Sequence, residues 1–574
     1  MLVLASLAWC WPLPASAQTP VTIEIRGIEE TLEQNVRLFL SIEQQKNHPL
    51  ITAGRLQRLH KKAPQEISAA LQPFGFYRPK VDASLVKLDS GEWQAIYNIE
   101  PGPPLLIGEY DFFISTEMGQ DPEFVELLDA NTLKTGQLFN HLEYEKFKTD
   151  LAKLASERGY MDARFTEHRI EIDLDQYTAR IYLSYQGGVR YQFGEVEMQQ
   201  NVLNDTLLQR FIPFKRGDPY SLDKLIELQR VLNDTDYFQI ADVSTGQALP
   251  DSHEVPIKVS LTPRKKHRFE TGLGYGTDTG ARARFGWSIP RLNKRGHRFN
   301  TEIEVSEIGY NTEANYRVPV LNPRTDQIVY TAGKSRQTFE DTDSTVSNLG
   351  VSLAHSRGKW REKLALNYQQ ENFESGVDQG DSALLIPGIS WSRTWGNNFI
   401  NVFDGLRFDL SLRGARESLA SDIDFAQLQG SLKFITSFNP YNRIITRGGL
   451  GTTETSDFDQ LPSSLRFFSG GAQTVRGYRY QSLGPTDDNG DVVGGRHLMH
   501  GSIEFEHYFN ERWGTAIFFD AGNAIDNFSD PLKRGAGFGL RWKSPIGPVR
   551  IDLASAVSED GKPWRIHINI GPDL

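Results

Sequence analysis

The sequence predicts a chain in two parts: tandem small α+β domains of β-α-α-β-β order, followed by an all-β antiparallel transmembrane barrel of about sixteen strands. Period-two alternation of apolar and polar side chains recurs from Lys265 to Leu574. Before Arg264, helical and strand patterns alternate in units spaced about 80 residues apart. After the first 18 residues there is no run of about 18 apolar residues, so no spanning helix is expected. A spanning barrel strand needs only about 10 residues of alternating character.

Met1 to Gln18 holds an apolar run, LVLASLAWCW, and then PLPASAQ, where Ala15-Ser16-Ala17 fits a small-residue cleavage site. Residues 1–17 are therefore expected to be a signal peptide, with the mature chain starting at Gln18. No basic n-region precedes the apolar run, which points to a mis-assigned start. Cys10 lies inside this segment, with Trp9 before it too bulky for a lipoprotein processing site, so the mature chain contains no cysteine. That excludes a disulfide framework and a thiol catalyst, and it fits an oxidising compartment such as the periplasm or outer membrane. A net charge of -11 over 574 residues and a mean hydropathy of -0.44 would pass for several soluble domains. An alternating barrel averages to the same polar value, so pattern rather than composition decides.

The amino-terminal part divides into units at 18–106, 107–188 and 189–264. In the second, a turn with Gly136 leads to a helix whose apolar face is Tyr144, Phe147, Leu151 and Leu154, stopped at Gly159-Tyr160. Asn140 followed by Glu143 predicts a capping box. In the third, Gly217 precedes a helix with Leu222, Leu225, Ile226 and Leu232 on its apolar face, stopped at Asp236-Tyr237-Phe238. The first unit is a more degenerate copy, opening on the strand VTIEIRGI and closing on WQAIYNIEPGPPLLI.

Residues 265–574 carry the alternation. Ala281, Ala283, Phe285, Trp287 and Ile289 share one face against Arg282, Arg284, Gly286 and Ser288; Leu406, Phe408, Leu410 and Leu412 oppose Arg407, Asp409, Ser411 and Arg413; Trp564, Ile566, Ile568 and Ile570 oppose Arg565, His567 and Asn569. A soluble antiparallel sheet also alternates. Number and continuity, with Trp and Tyr near strand ends as in an aromatic girdle, favour a closed barrel, which satisfies every backbone group in lipid.

One polar, glycine-rich insertion interrupts the strands at about 457–495 and contains LRFFSGGAQTVRGYRY with Arg476. On the following strands, parity turns Ile503, Phe505, Thr515, Ile517, Phe519 and Ala521 toward lipid and Glu504, Glu506 and Asp520 toward the lumen. Solvated lumen charges would be worth only about 1 kcal/mol per pair. A guanidinium held bidentately between carboxylates and wedged by aromatic neighbours would do more and would fix the loop's register.

Val475-Arg476-Gly477-Tyr478 resembles the VRGY/F signature in the lumen loop of the outer-membrane assembly and two-partner secretion superfamily, whose members join periplasmic POTRA domains to a sixteen-stranded barrel. Phe518-Phe519-Asp520-Ala521-Gly522 resembles that family's FxDxG strand, GFGLRWKSPIGPVRIDLA its penultimate hairpin, and the β-α-α-β-β units its POTRA domains. The resemblance implies POTRA 1 at 18–106, POTRA 2 at 107–188, POTRA 3 at 189–264 and a barrel at 265–574. It implies that Arg476 docks on Asp520, with Glu504 as a second partner, so that Val475 to Tyr478 latch the loop inside the barrel. Three such domains and the ending INIGPDL look most like the translocation and assembly module branch, TamA; the central Bam subunit typically has five, and two-partner transporters have two after a plug helix. This branch implies a Gram-negative outer-membrane subunit that assists insertion or secretion of outer-membrane proteins such as autotransporters, with a TamB-like, inner-membrane-anchored periplasmic partner. The second reading is a polypeptide-conducting pore of the two-partner type, against which the stretch Gln18 to Val21 leaves no room for a plug helix.

Two features predict a weak barrel seam. Gly571-Pro572 disrupts the last strand, because proline has no N–H to donate, and Gly272, Gly274 and Gly276 thin the first. The three glycines either loosen a gate or make room for neighbouring aromatics on a curved wall. They are not a phosphate loop, since no strand-turn-helix context surrounds them. An exposed strand edge can template a client strand through backbone hydrogen bonds. No Ser-His-Asp set or HExxH motif supports an enzyme; His507 and His567 read as ordinary barrel residues, and no catalytic residue, metal or cofactor is expected. A passive porin would lack the periplasmic repeats. Lys265-Lys266-His267-Arg268 is too short a cluster to suggest nucleic acid and fits lipid headgroups at the bilayer surface.

Overall fold

The computed structural model describes residues 21–48, 51–396, 402–544 and 547–570. The expected signal peptide and the Gly571-Pro572 pair lie outside the described residues. The chain forms two compact units, one of residues 1–197, 214–226 and 244–257 and the other of 198–213, 227–243 and 258–574.

Three small three-stranded sheets precede the barrel, each with its third strand in the middle, between the first and the second. In the first, Val21–Arg26 runs parallel to Trp93–Glu100, which pairs antiparallel with Lys80–Lys87. Helix Ala53–Leu71 covers it with Leu56, Leu59, Ala63, Ile67 and Leu71, one stripe at steps of three and four. In the second, Leu106–Ile114 runs parallel to Thr178–Gln186, flanked by antiparallel Arg164–Asp173.

The helical part of the repeat is more broken than the sequence reading. In the first domain Leu40, in an extended conformation, separates Glu30–Phe39 from Ser41–Gln45. In the second, Asp121 caps a fresh helix, Pro122–Asp129, by accepting from the Glu123 amide at 3.2 Å. Helix His141–Arg158 buries Tyr144, Phe147, Leu151 and Ala155, with Leu154 at the margin. Asn140 caps it through the Leu142 amide at 2.9 Å, whereas the Glu143 carboxylate accepts from Thr132 Oγ1, so only half of the expected capping box forms. In helix Leu222–Asn233 the buried face is Leu225, Leu228 and Leu232; Ile226 is exposed, because its position lies about 100° around the helix from Leu225.

The barrel is one sixteen-stranded sheet in which each strand pairs with its neighbours in sequence, from Arg268–Gly276 to Trp564–Ile570. Alternation fixes its two faces. Leu273 is 91% exposed and Ile517 61%, while Asp520 between the exposed Phe519 and the inner wall is fully buried. So much bare hydrocarbon on one surface is compatible with a bilayer and not with water.

Within the first unit, the two leading domains meet at a hydrogen-bonded hinge. The Leu105 amide donates to the Gly75 carbonyl at 2.9 Å, the Tyr77 amide donates to the Tyr177 hydroxyl at 3.1 Å, and the Tyr77 hydroxyl lies 2.6 Å from His141 Nε2. Burial lowers the His141 pKa from the ordinary 6.5, so the neutral ring accepts from Tyr77. Since the folded hinge binds the proton less readily than an unfolded chain, its stability is intact above about pH 6.5 and is lost as the pH falls below that value. Hydrogen exchange at the Leu105 and Tyr77 amides should therefore accelerate as pH is lowered from 7 to 5 after correction for intrinsic rates, and His141→Gln should flatten that trend. An unchanged trend in the variant would assign the effect elsewhere.

Candidate functional site

The eleventh and twelfth barrel strands, Asn442–Thr455 and His497–Tyr508, are joined by a long segment that turns into the lumen. Its shoulder is anchored first. Leu461 and Leu465 pack with Leu384, Ile386 and Phe425 of the wall. Glu371 accepts from the Ser463 hydroxyl at 3.0 Å, the Ser464 amide at 3.0 Å and the Ser464 hydroxyl. Arg466 donates to Asp378 at 2.6 Å and to three carbonyls of the segment itself, those of Leu461, Asp459 and Val493.

This anchoring delivers Val475-Arg476-Gly477-Tyr478 to the opposite wall. Arg476 donates to Asp520 through Nε at 2.8 Å and Nη2 at 2.9 Å, and its backbone amide reaches the same carboxylate at 3.0 Å. Nη1 donates to Glu504 at 2.7 Å and to Asp552 at 3.0 Å, and Nη2 to the Ser502 hydroxyl at 3.3 Å. The guanidinium carbon lies over the Phe518 ring, 3.4 Å from its centroid. The structure thus brings together Arg476, Glu504 and Asp520, the three charged residues singled out in the sequence.

Further charges join them: Glu506, read from the sequence as inward, and three arginines and an aspartate that the sequence reading passed over. Arg541, on the fourteenth strand Lys533–Ser544, donates to Glu504 at 2.5 Å, to Glu506 at 2.7 Å and to Asp552 at 2.6 Å. Arg443 donates to Glu506 at 2.5 Å, and Arg447 Nη2 stands 3.9 Å from Asp520. Four guanidiniums (443, 447, 476, 541) and four carboxylates (504, 506, 520, 552) therefore alternate across the eleventh to fifteenth strands and the loop. Parity could have found the missed pair: Arg541 lies between exposed Leu540 and Trp542, and Asp552 follows exposed Ile551.

Gly477 is required by its neighbours. Its φ is +98°, and an added Cβ would stand 2.7 Å from the Ser555 carbonyl carbon. Its amide donates to His567 Nε2 at 2.9 Å, so His567, read from sequence as plain lumen lining, accepts from the loop instead. Val475 and Tyr478 flank the site in a small apolar cluster with Leu483 and Ala556.

The seam lies next to this site. No ladder pairs the described residues of the first strand, Arg268–Gly276, with those of the last, Trp564–Ile570; the Ile568 amide donates to Thr277 Oγ1 across it at 3.2 Å. The loop touches both sides. Asp278, in the turn after the first strand, accepts from the Ala472 amide of the loop at 2.9 Å, and its other oxygen lies 3.7 Å from His567 Nδ1 on the last strand. Gly272 and Gly274 lie beside Arg284 and Arg282 of the second strand, not beside aromatics, and a Cβ at Gly276 would be 3.8 Å from the Ile568 carbonyl.

Residues 266–573 match the Omp85 superfamily domain. The chain belongs to the Omp85 superfamily. Residues 22–101 match a model described as POTRA domain TamA domain 1, and residues 191–264 a POTRA model described as surface antigen variable number repeat. As an Omp85 protein with these modules, it is an outer-membrane barrel with periplasmic POTRA domains. Among curated relatives, the outer membrane protein assembly factor BamA of Nitratidesulfovibrio vulgaris is 23% identical over 94% of this chain and 70% of its own. The BamA of Neorickettsia risticii is 22% identical over 76% of this chain, which spans 62% of that relative's length. The crystal structure of BamA from Haemophilus ducreyi lacking POTRA domains 1-3 superposes with a TM-score of 0.67 at 17% identity, covering 81% of this chain and 99% of that one, and so shares the fold.

Three substitutions test the geometry. Arg476→Ala leaves three carboxylates buried without their shared cation, a loss of about 3–5 kcal/mol for a broken buried pair; the loop should become protease-sensitive and the barrel should lose its heat resistance in detergent electrophoresis. Arg476→Lys should recover little, since a lysine cannot span three carboxylates with a planar fork. Gly477→Ala should expose the loop to protease while leaving every charge in place, and a loop as resistant as the parent's would show that the close approach to Ser555 is unimportant.

Proposed function

We propose that this Omp85 protein is an insertase or translocase subunit of the translocation and assembly type. In this reading it assists insertion or secretion of outer-membrane proteins such as autotransporters, and its POTRA domains receive a TamB-like, inner-membrane-anchored partner. The observation that carries the proposal is the seam: a sixteen-stranded sheet whose first and last strands are bridged, among the described residues, by a side-chain hydrogen bond in place of a ladder. Unpaired backbone groups at that edge are a template for a client strand, so recognition rests on edge geometry more than on client side chains. Client folding and burial in lipid would supply the driving force.

The match of residues 22–101 to a TamA-type POTRA supports this branch, while the BamA relatives support the wider insertase reading. On the proposed mechanism Arg476 is a latch and not a catalytic residue. It holds the loop against the wall, and through Ala472 and Gly477 the loop holds Asp278 and His567 on the two sides of the seam. Gly272, Gly274, Gly276 and the terminal Gly571 and Pro572 would belong to the gate.

The second reading, a polypeptide-conducting pore, rests on the same barrel motifs, and planar-bilayer conductance separates the two: a large, stable open conductance would favour the pore. Cysteines at Thr277 and Ile568, which meet across the seam, can be crosslinked without interference, because Cys10 is the chain's single native cysteine and lies in the expected signal peptide. A locked seam should abolish insertion of a client into proteoliposomes, with activity restored by reductant. Undiminished activity of the locked protein would sink lateral opening, and failure of the POTRA domains to retain a TamB-like protein would sink the branch assignment alone.

A further inference from the structure

A second charged site lies at the periplasmic end of the barrel. Because the first strand follows the periplasmic domains, the turns between the second and third strands and between the fourth and fifth lie at that end as well. A cavity of about 330 Å³ opens there. Four arginines line it from four segments: Arg230 on helix Leu222–Asn233, Arg298 at the start of the third strand, Arg317 near the end of the fourth, and Arg324 in the turn that follows.

Their arrangement leaves positive charge over. Arg298 and Arg317 are direct cross-strand partners, a like-charge pairing that destabilises a sheet unless an anion lies between. Arg298 lies 4.4 Å above the Tyr237 ring and 3.5 Å from Asp236, and Arg324 pairs with Glu227 at 2.5 Å. Asp236 and Glu227 lie outside the lining, and Asp234 is the carboxylate on the wall itself. Three acids face four guanidiniums, and the side chains of Arg230 and Arg317 donate to no described residue. A planar carboxylate accepts chiefly in its own plane, whereas a tetrahedral oxyanion accepts forks from several directions. Phe211, Val231 and Pro323 add an apolar wall on which the carbon part of a ligand can rest.

We infer that this cavity binds a phosphoryl group, the phosphodiester of a glycerophospholipid headgroup or free phosphate, with Arg230 and Arg317 as its principal ligands. The inference does not depend on whether the seam opens. It places a phosphate site at the level of the periplasmic leaflet, where a headgroup would tie helix Leu222–Asn233 to the barrel rim through the arginines on each.

The test uses the full-length protein in a phosphate-free, uncharged detergent, titrated with inorganic phosphate, with dihexanoyl phosphatidylglycerol and with dihexanoylglycerol, which lacks the phosphate. Tryptophan fluorescence and equilibrium dialysis report binding. The expected result is saturable binding of the phosphatidylglycerol, weakened about ten-fold or more in Arg230→Gln/Arg317→Gln and unchanged in the control Arg26→Gln. Arg317→Lys, which keeps the charge but loses the fork, should bind with intermediate affinity and serves where the double variant misfolds. Inorganic phosphate binding as tightly as the lipid would assign the site to free phosphate. Dihexanoylglycerol binding as well as phosphatidylglycerol, affinity indifferent to both variants, or no saturable binding of either phosphate would overturn the inference.

Discussion

A buried guanidinium shared by three carboxylates governs how this barrel is held together. Arg476 comes from the loop, Glu504, Asp520 and Asp552 from the twelfth, thirteenth and fifteenth strands, and each of the four is nearly or wholly removed from solvent. Charges in such a place are strongly disfavoured alone and tolerable only together, because the loss of hydration is offset by short, charge-assisted bonds of good geometry. The loop and the wall are therefore interdependent. Withdrawing Arg476 leaves three buried anions, and shifting any one of the strands by a residue turns its acid to the lipid. Arg541 extends the same logic, tying Glu504, Glu506 and Asp552 from the strand between.

The backbone is shaped to let this happen. On the fourteenth strand the inward positions before Arg541 are Gly535, Gly537 and Gly539. A Cβ at Gly535 would fall 2.0 Å from the Arg476 carbonyl oxygen, and one at Gly539 would fall 2.0 Å from Asp552 Oδ1. Side chains there would push the loop off the wall, so the loop packs backbone against backbone. In the glycine-rich first strand, by contrast, the neighbours are the flexible ends and stems of Arg282 and Arg284, and space is left rather than filled. Glycine marks close approach in one place and a thin wall in the other.

What sequence could reveal follows from what a period encodes. Alternation gives the side of the sheet on which a residue lies, and for Glu504, Asp520, Ile517 and Phe519 that was enough. It does not say which inward charge meets which, because partners are set by strand stagger and by the path of a long loop that has no period of its own. Arg476 was legible as a partner for two acids since the motif resemblance supplied the path; Asp552 and Arg541, inward by the same parity, went unassigned, and His567 was read as lining although it accepts from Gly477. Helix detail was lost for another reason. Ile226 and Leu228 are both apolar, and only the position of the sheet decides which turns inward. The division of the first helix at Leu40 has no proline or glycine to announce it.

The seam falls where the chain order of the sheet leaves two ends, and the charge lattice stops short of it. The lattice binds the eleventh to fifteenth strands into a stiff sector that ends one strand short of the barrel's closing edge. Beyond it the last strand is held by its ladder to the fifteenth and by His567, whereas the first strand has a ladder, among the described residues, on one side alone, to the second. Unpaired amides and carbonyls are costly in lipid, so an edge without a ladder is the weak place in the wall. The stiff sector and the unzipped edge thus lie side by side: the charge lattice fixes the wall up to the fifteenth strand, and no ladder among the described residues closes it beyond the sixteenth.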